Sequence, residues 1–358
     1  MTLTFRKENK TMRKIKWGVI GAGGIADRRT LPGMMLADNA ELVAVMEIGA
    51  EPANKLKEKY GAKYAYTSAE ELLANDEIEA VYIASPVVCH KAQAIAAAKA
   101  GKHILLEKPA AVTVEDGEEI LNAAKEAGVL IASGFMMRYH AYNQKIKEMI
   151  AEGKIGDIVS ARAQLTCWYP EIEGAWRQDK AKSGGGALMD MGVHCVDLIE
   201  YILGHKTVEV CGFNDTRTFT YNVDDSSNIL IKLDNGVVAY VDSHFNIPDE
   251  AAFCRMEFYG TKGSILAEGT LGQVEGGTVK VTVSDPGGYN AQQNRDTNGS
   301  FAVEAELGNM YTKEIESFGR SVADGTPLTV PLEDAIHVQK VACAAYNASE
   351  NKIFAKVD

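Results

Sequence analysis

Three short stretches of this 358-residue sequence hold residue types whose spacing suits chemistry. The first, Gly21-Ala22-Gly23-Gly24-Ile25-Ala26, has the form G-x-G-x-x-A. Gly21 permits a tight turn, Gly23 lets backbone approach a pyrophosphate, and Ala26 keeps the following helix close to a sheet. With Gly24 and Ile25 the turn offers free backbone N–H groups to phosphate oxygens. Glu47 falls 24 residues after Gly23, where a carboxylate accepts both ribose hydroxyls and repels a 2′-phosphate. Ile48 stands where an arginine would hold such a phosphate. The pattern points to NAD, with NADP as the alternative.

The second stretch is Glu107-Lys108-Pro109. A lysine just past a buried strand can polarise a substrate hydroxyl or carbonyl oxygen, and Pro109 restricts the backbone from which it leaves. In the third, Asp190 and His194 stand four apart in a helical stretch and so share one face. An ordinary histidine titrates near pH 6.5, which makes His194 a candidate proton acceptor. Asp190 is expected to bind a hydroxyl or orient the imidazole. The small residues Ser183–Gly186 before this helix are expected to let a polyol approach backbone.

Elements that would position these residues follow from the apolar pattern. Strands are expected at Ile15–Ile20, Glu41–Glu47, Ala80–Ala84, His103–Leu106 and Val129–Ala132, separated by helices that glycines such as Gly101 and Gly128 end. Short continuous apolar strands between helices describe an open, doubly wound parallel sheet over about residues 13–134. Residues 1–12 read as a flexible tail. After about residue 135 the chain changes character: strands dominate from Val208, and Asp234-Asn235-Gly236 marks a hairpin. This half reads as an α+β domain with a large, mostly antiparallel open sheet, and the last helix is expected to pack back on the first domain. Gly269–Ser300 reads as a hairpin and a long surface loop, closed by helices at about Ala302–Ala323 and Leu332–Ala345.

The fingerprint, Ser85-Pro86 with His90, the E-K-P triplet and the segment SGGGALMDMGVHCVDL (Ser183–Leu198) together resemble the glucose–fructose oxidoreductase and inositol dehydrogenase family of NAD(P)-dependent sugar oxidoreductases. The resemblance spans nearly the whole chain. It implies an N-terminal Rossmann domain, an active site between two domains, an active-site lysine at Lys108, and substrate-binding and proton-transfer residues in Asp190-x-Gly192-x-His194. It further implies a sugar or cyclic polyol substrate and a homodimer or homotetramer built through the second sheet. On this reading His194 takes the hydroxyl proton, Lys108 meets the charge on oxygen, and Asp190 orients the imidazole, with Lys108 or His194 as the ultimate proton carrier. Ser85, Pro86, His90 and Glu107 would line the cofactor cleft. Arg138, at the domain junction, would touch substrate or form a salt bridge there; Tyr169, Trp176 and Arg177 would touch substrate or pack as core or lid, and walls near His244 and Tyr289–Thr297 would complete the pocket.

Composition narrows the rest. Apolar residues make up 46% and the formal charge is -12, so nonspecific nucleic-acid binding is not expected. The six cysteines are scattered with no C-x-x-C pair, which favours a reducing, cytoplasmic setting. No apolar run of membrane length occurs, and no membrane partner is expected. No metal site is expected, because the His-Cys neighbours at Cys89-His90 and His194-Cys195 point apart on a helix. Three alternatives stay open: an NADPH-dependent keto-sugar reductase, an NAD-dependent glycosidase that oxidises its substrate transiently, and a non-catalytic sugar-responsive binding protein.

Overall fold

The computed structural model describes residues 13–284, 287–289, 291–292 and 299–357. The expected tail at 1–12 lies outside them. Six strands come first: β1 (Ile15–Ile20), β2 (Ala40–Met46), β3 (Tyr64–Tyr66), β4 (Ala80–Ile83), β5 (His103–Leu106) and β6 (Ile131–Ser133). They form one parallel sheet in the order β3-β2-β1-β4-β5-β6. Strand order reverses between β1 and β4, so the crevice at their carboxyl ends is where such a sheet takes a ligand. β3 was not legible beforehand: YAY is three residues long and half-buried throughout.

Nine strands follow: β7 (Ile158–Thr166), β8 (Thr207–Asp215), β9 (Ser226–Leu233), β10 (Val238–His244), β11 (Arg255–Gly260), β12 (Gly263–Glu268), β13 (Thr278–Val283), β14 (Ser300–Ala302) and β15 (Ala355–Lys356). Their order is β14-β13-β12-β11-β7-β10-β9-β8-β15. Every pairing is antiparallel except β10 with β7. Helices Ala141–Ala151, Val193–Leu203 and Leu332–Asn351 are on one face, burying Ile146, Val196, Ile199 and Val341 against inward residues such as Ala161, Ala163, Ile231 and Val241.

That core runs unbroken from Ile20 and Ile83 of the first sheet to Val281 of the second. A smaller core lies on the other side of the first sheet. There Trp17 meets Phe318 at 5.5 Å between ring centroids. Phe318 belongs to Met310–Asp324, so this helix packs back on the first sheet. Gly33 allows the approach, since a Cβ there would sit 2.8 Å from Tyr311 Cβ. The helix begins eight residues later than the pattern suggested, and Asn309 caps it by accepting from Thr312 N at 3.1 Å. The final helix also reaches the first half, where Gln339 Nε2 donates to Ala111 O at 2.9 Å.

Candidate functional site

A cleft of about 1030 Å³ opens where the carboxyl ends of β1, β4 and β5 face β7 and the helix Val193–Leu203. Its first end is the glycine turn. Gly21 has φ 73°, and a Cβ there would lie 2.6 Å from Ser85 N. No other residue satisfies both demands. A Cβ on Gly23 would lie 2.9 Å from Glu47 Oε1, so that glycine keeps the carboxylate at the cleft wall open. Burial pushes the Glu47 carboxyl up, and a backbone hydrogen bond from Ile48 partly offsets it. Gly24 has φ 55° and nothing within 4 Å of a Cβ, so backbone there faces open space. Ile25 lines the cleft, while Ala26 is fully buried beneath it, as its expected packing role requires. A glycine cradle ending at an inward carboxylate fits the adenosine and pyrophosphate of a dinucleotide.

Ser85, Pro86 and His90 form the neighbouring wall. The Ser85 hydroxyl hydrogen-bonds Gln93 Oε1. His90 is buried, with Nδ1 3.1 Å from Pro109 O and Nε2 2.9 Å from Ser85 O. One ring nitrogen donates to a carbonyl and the other lies beside a second, so the ring is wedged between the Ser85 turn and the E-K-P turn.

The chemical centre lies further along. Lys108 Nζ donates to Asp190 Oδ1 and to Asp190 O, each at 2.7 Å. Arg177 Nε stands 3.6 Å from the same Oδ1, with its guanidinium stacked 4.3 Å over Trp176. Burial would raise the Asp190 carboxyl, but the Lys108 and Arg177 cations outweigh it and hold it well below the usual range. His194 is buried edge-on against Phe135 at 5.4 Å. Burial first, then the Lys108 cation, push its imidazole well below the ordinary histidine value, with Asp190 opposing. Tyr169 lines the same end, its ring 5.1 Å from Phe245. Burial raises its phenol, with Arg177 acting against.

Several expectations are corrected. Asp190 does not orient His194; its partner is Lys108. The segment Leu188–Gly192 is a π-helical turn before the α-helix, an arrangement frequent at functional sites. Arg138 is not in the cleft. Its guanidinium is buried, donating to both oxygens of Asp197 and to Thr329 O and Asp334 Oδ2. The glycine run likewise serves packing: a Cβ on Gly186 would lie 1.9 Å from Asp224 O, and Gly186 N donates to Asp224 Oδ1 at 2.7 Å. His244 does not line the cleft and stands 3.4 Å from Asp242 Oδ2. Of the Tyr289–Thr297 wall, Tyr289 is exposed, and residues 290 and 293–297 lie outside the described ones.

Several wall residues were not foreseen. Tyr311 and Gln273 come from distant segments, while Cys167 and Cys254 sit past the end of β7 and just before β11. No local signal marks them, since each reaches the cleft only through strand order. All six cysteines are free. Among the described residues no group of three or more His, Cys, Asp or Glu could hold a metal, and no helix is long and apolar enough to cross a membrane.

Glycine turn, inward carboxylate, and a lysine–aspartate pair beside a histidine, all in one crevice between two sheets, define a nucleotide-dependent oxidoreductase. Family comparison agrees. Residues 15–135 match the oxidoreductase family with an NAD-binding Rossmann fold, and residues 143–266 match the GFO/IDH/MocA C-terminal domain. The chain belongs to the Gfo/Idh/MocA family of oxidoreductases. It is 28% identical to a 1,5-anhydro-D-fructose reductase of Ensifer adhaerens over 96% of this chain and 98% of that one. It is 32% identical to a glucose-6-phosphate 3-dehydrogenase of Bacillus subtilis over 68% of this chain and 71% of that one. The fold matches a solved aldose-aldose oxidoreductase from Caulobacter crescentus with a TM-score of 0.86 at 23% identity, covering 96% of this chain and all of that one.

Proposed function

We propose that this oxidoreductase moves a hydride between NAD and a hydroxyl or keto carbon of a sugar or cyclic polyol. The observation that carries the reading is the Lys108–Asp190 pair beside His194, in the same cleft as the glycine turn and Glu47. Gly21, Gly23, Gly24 and Glu47 hold the adenosine end, and Glu107 and Lys108 border the nicotinamide end. Bound there, the dinucleotide supplies the acceptor or donor of a hydride.

The residues themselves do the following. Lys108 has three N–H donors and spends two on Asp190, leaving one for a substrate oxygen. His194, held neutral, presents a nitrogen lone pair to the substrate hydroxyl and takes its proton. An imidazolium beside the Lys108 ammonium is unstable, so the proton passes on to solvent. Lys108 meets the developing charge on oxygen, and Asp190 fixes where that ammonium points. Trp176 and Tyr169 offer aromatic faces to a sugar ring, and Arg177 offers spare donors to its hydroxyls. Residues 13–134 serve the cofactor and residues 135–358 the substrate. The outer face of the second sheet leaves Val159, Phe213, Leu230 and Leu266 exposed, which supports association of copies as a homodimer or homotetramer there.

A panel of sugars and inositols tested with NAD and NADP, following reduced cofactor and product together, checks this. Net cofactor reduction with NAD is expected. Substrate cleavage without net reduction would instead mark the transient-oxidation glycosidase, and tight binding with no turnover a regulatory protein. Light scattering of the purified chain checks the association.

A further inference from the structure

Tyr311 has no part in the chemistry above, yet it lines the cleft. It stands in the first turn of the Met310–Asp324 helix, in the second half of the chain. It is 4% exposed, and its hydroxyl makes no hydrogen bond among the described residues. A buried phenol ordinarily has a partner for its O–H. Burial first, then the charges of Glu107 and Glu314, push the phenol up, so it keeps its proton and remains a donor.

What that hydroxyl meets follows from its surroundings. Its helix packs against Ala26–Thr30 and Leu31–Leu36, the helical segments that continue the glycine turn. Thr312 Oγ1 donates to Gly33 O at 2.8 Å, and the missing side chain of Gly33 leaves room for Tyr311 Cβ. Tyr311 therefore enters the cleft from beside the glycine-turn helix. Arg28 lines the same cleft, and its guanidinium has no ion pair or hydrogen bond among the described residues. Arg29 Nε donates to Gln273 Oε1 at 3.0 Å, which leaves the Gln273 amide N–H groups unspent in the cleft wall. A phenol O–H, a guanidinium and an amide thus face one cleft with donors to spare. Such a set calls for an anion with several oxygens.

We propose that the second half of the chain completes the cofactor site: the Tyr311 hydroxyl, with Arg28 and the Gln273 amide, binds the pyrophosphate of the dinucleotide from the side that the glycine turn leaves open. The inference rests on the reading that the dinucleotide lies along this cleft. Charge gives the reason. A dinucleotide pyrophosphate carries two negative charges, and the glycine turn answers them with neutral N–H groups alone. Arg28 adds a full positive charge, while Tyr311 and Gln273 add directed donors. Neither end of the dinucleotide suits this set as well. The ribose hydroxyls of the adenosine end are met by the Glu47 carboxylate, and an oxidised nicotinamide ring is itself a cation that a guanidinium repels. The cofactor is therefore held by both halves of the chain, and residues beyond 134 serve it as well as the substrate.

Titration of the full chain and of Tyr311→Phe with NADH, read by fluorescence, and with NAD⁺, ADP-ribose and adenosine, read by displacement of NADH, tests this. Tyr311→Phe keeps the ring and removes only the hydroxyl. It is expected to bind NADH, NAD⁺ and ADP-ribose about tenfold more weakly, and adenosine as the native chain does. Arg28→Met is expected to show the same pattern. Weaker binding of NAD⁺ without weaker binding of ADP-ribose puts the phenol at the nicotinamide and overturns the proposal. A loss shared by adenosine overturns it too, since a merely structural side chain would act on every ligand alike. Unchanged affinity for ADP-ribose overturns it outright. Should Tyr311→Phe not fold, Arg28→Met, whose side chain is exposed, decides with the same ligands. Failure of the native chain to bind NADH or NAD⁺ overturns the proposed function itself, and this site with it.

Discussion

Two ion pairs in this molecule have the same plan and opposite fates. Lys108, just past β5, pairs with Asp190, and Arg138, just past β6, pairs with Asp197. Both aspartates stand on one helical stretch, seven residues apart. The Arg138 pair is sealed, with side chains 3% and 1% exposed, and Asp334 and Thr329 O take its remaining reach. The Lys108 pair is 13% and 25% exposed, and one N–H stays unspent. Residue type does not separate a structural pair from a reactive one. What separates them is how many donors remain after the protein's own acceptors are counted, and whether a ligand can reach them.

The contrast can be broken at either end. Arg138→Met strands Asp197 as a buried charge, and about 3–5 kcal/mol of stability should vanish in denaturant titration. Lys108→Met should leave the denaturation midpoint nearly in place while kcat falls about 10³-fold, a barrier increase of about 4 kcal/mol. If Lys108→Met unfolds the chain instead, the two pairs are alike after all. His194→Asn should lower kcat about 10²-fold with KM little changed, as expected for loss of a proton acceptor. Glu47→Ala should leave kcat alone and weaken NAD binding about tenfold, about 1.4 kcal/mol, as read by fluorescence titration.

The last effect is one of pH. Burial lowers His90, His103, His140 and His194 below their ordinary value. A histidine depressed in the folded state binds fewer protons there than in the unfolded chain. Its stability contribution is complete above about pH 6.5 and is lost as the pH falls toward the depressed value, by up to about 1.4 kcal/mol per pH unit for each group. Thermal melts between pH 7 and about 5 should show this fall, and a flat profile would refute it. The same melts on His194→Asn should show a shallower slope.

Much of this was legible because the signals are local. The glycine turn works within six residues, and Gly21 and Gly23 are explained by backbone angle and clearance alone. Apart from β3, the strands of the first sheet were readable because each is a largely buried apolar run with a glycine or turn nearby. Arg138 left two readings open for the opposite reason: a basic residue at a domain junction reads equally as a ligand hand or a salt bridge until its partners, 59 and 196 residues away, are known. Glu314 gave no sign at all, since an acid on a helix of mixed composition reads as solvent-facing until the first sheet covers it.

By itself the sequence determined the parallel sheet, the nucleotide turn with its acidic partner Glu47, and the residue types that meet in the cleft, because backbone angles and apolar periodicity act between neighbours. Only the tertiary structure decided that Asp190 serves Lys108 rather than His194, that Arg138 is sealed away, and that Glu314 is buried. Those outcomes depend on which charge lies nearest across gaps of 82 and 59 residues, and on how little water separates them. Distance and desolvation in three dimensions set such pairings, and neither is written in the spacing of residues along a chain.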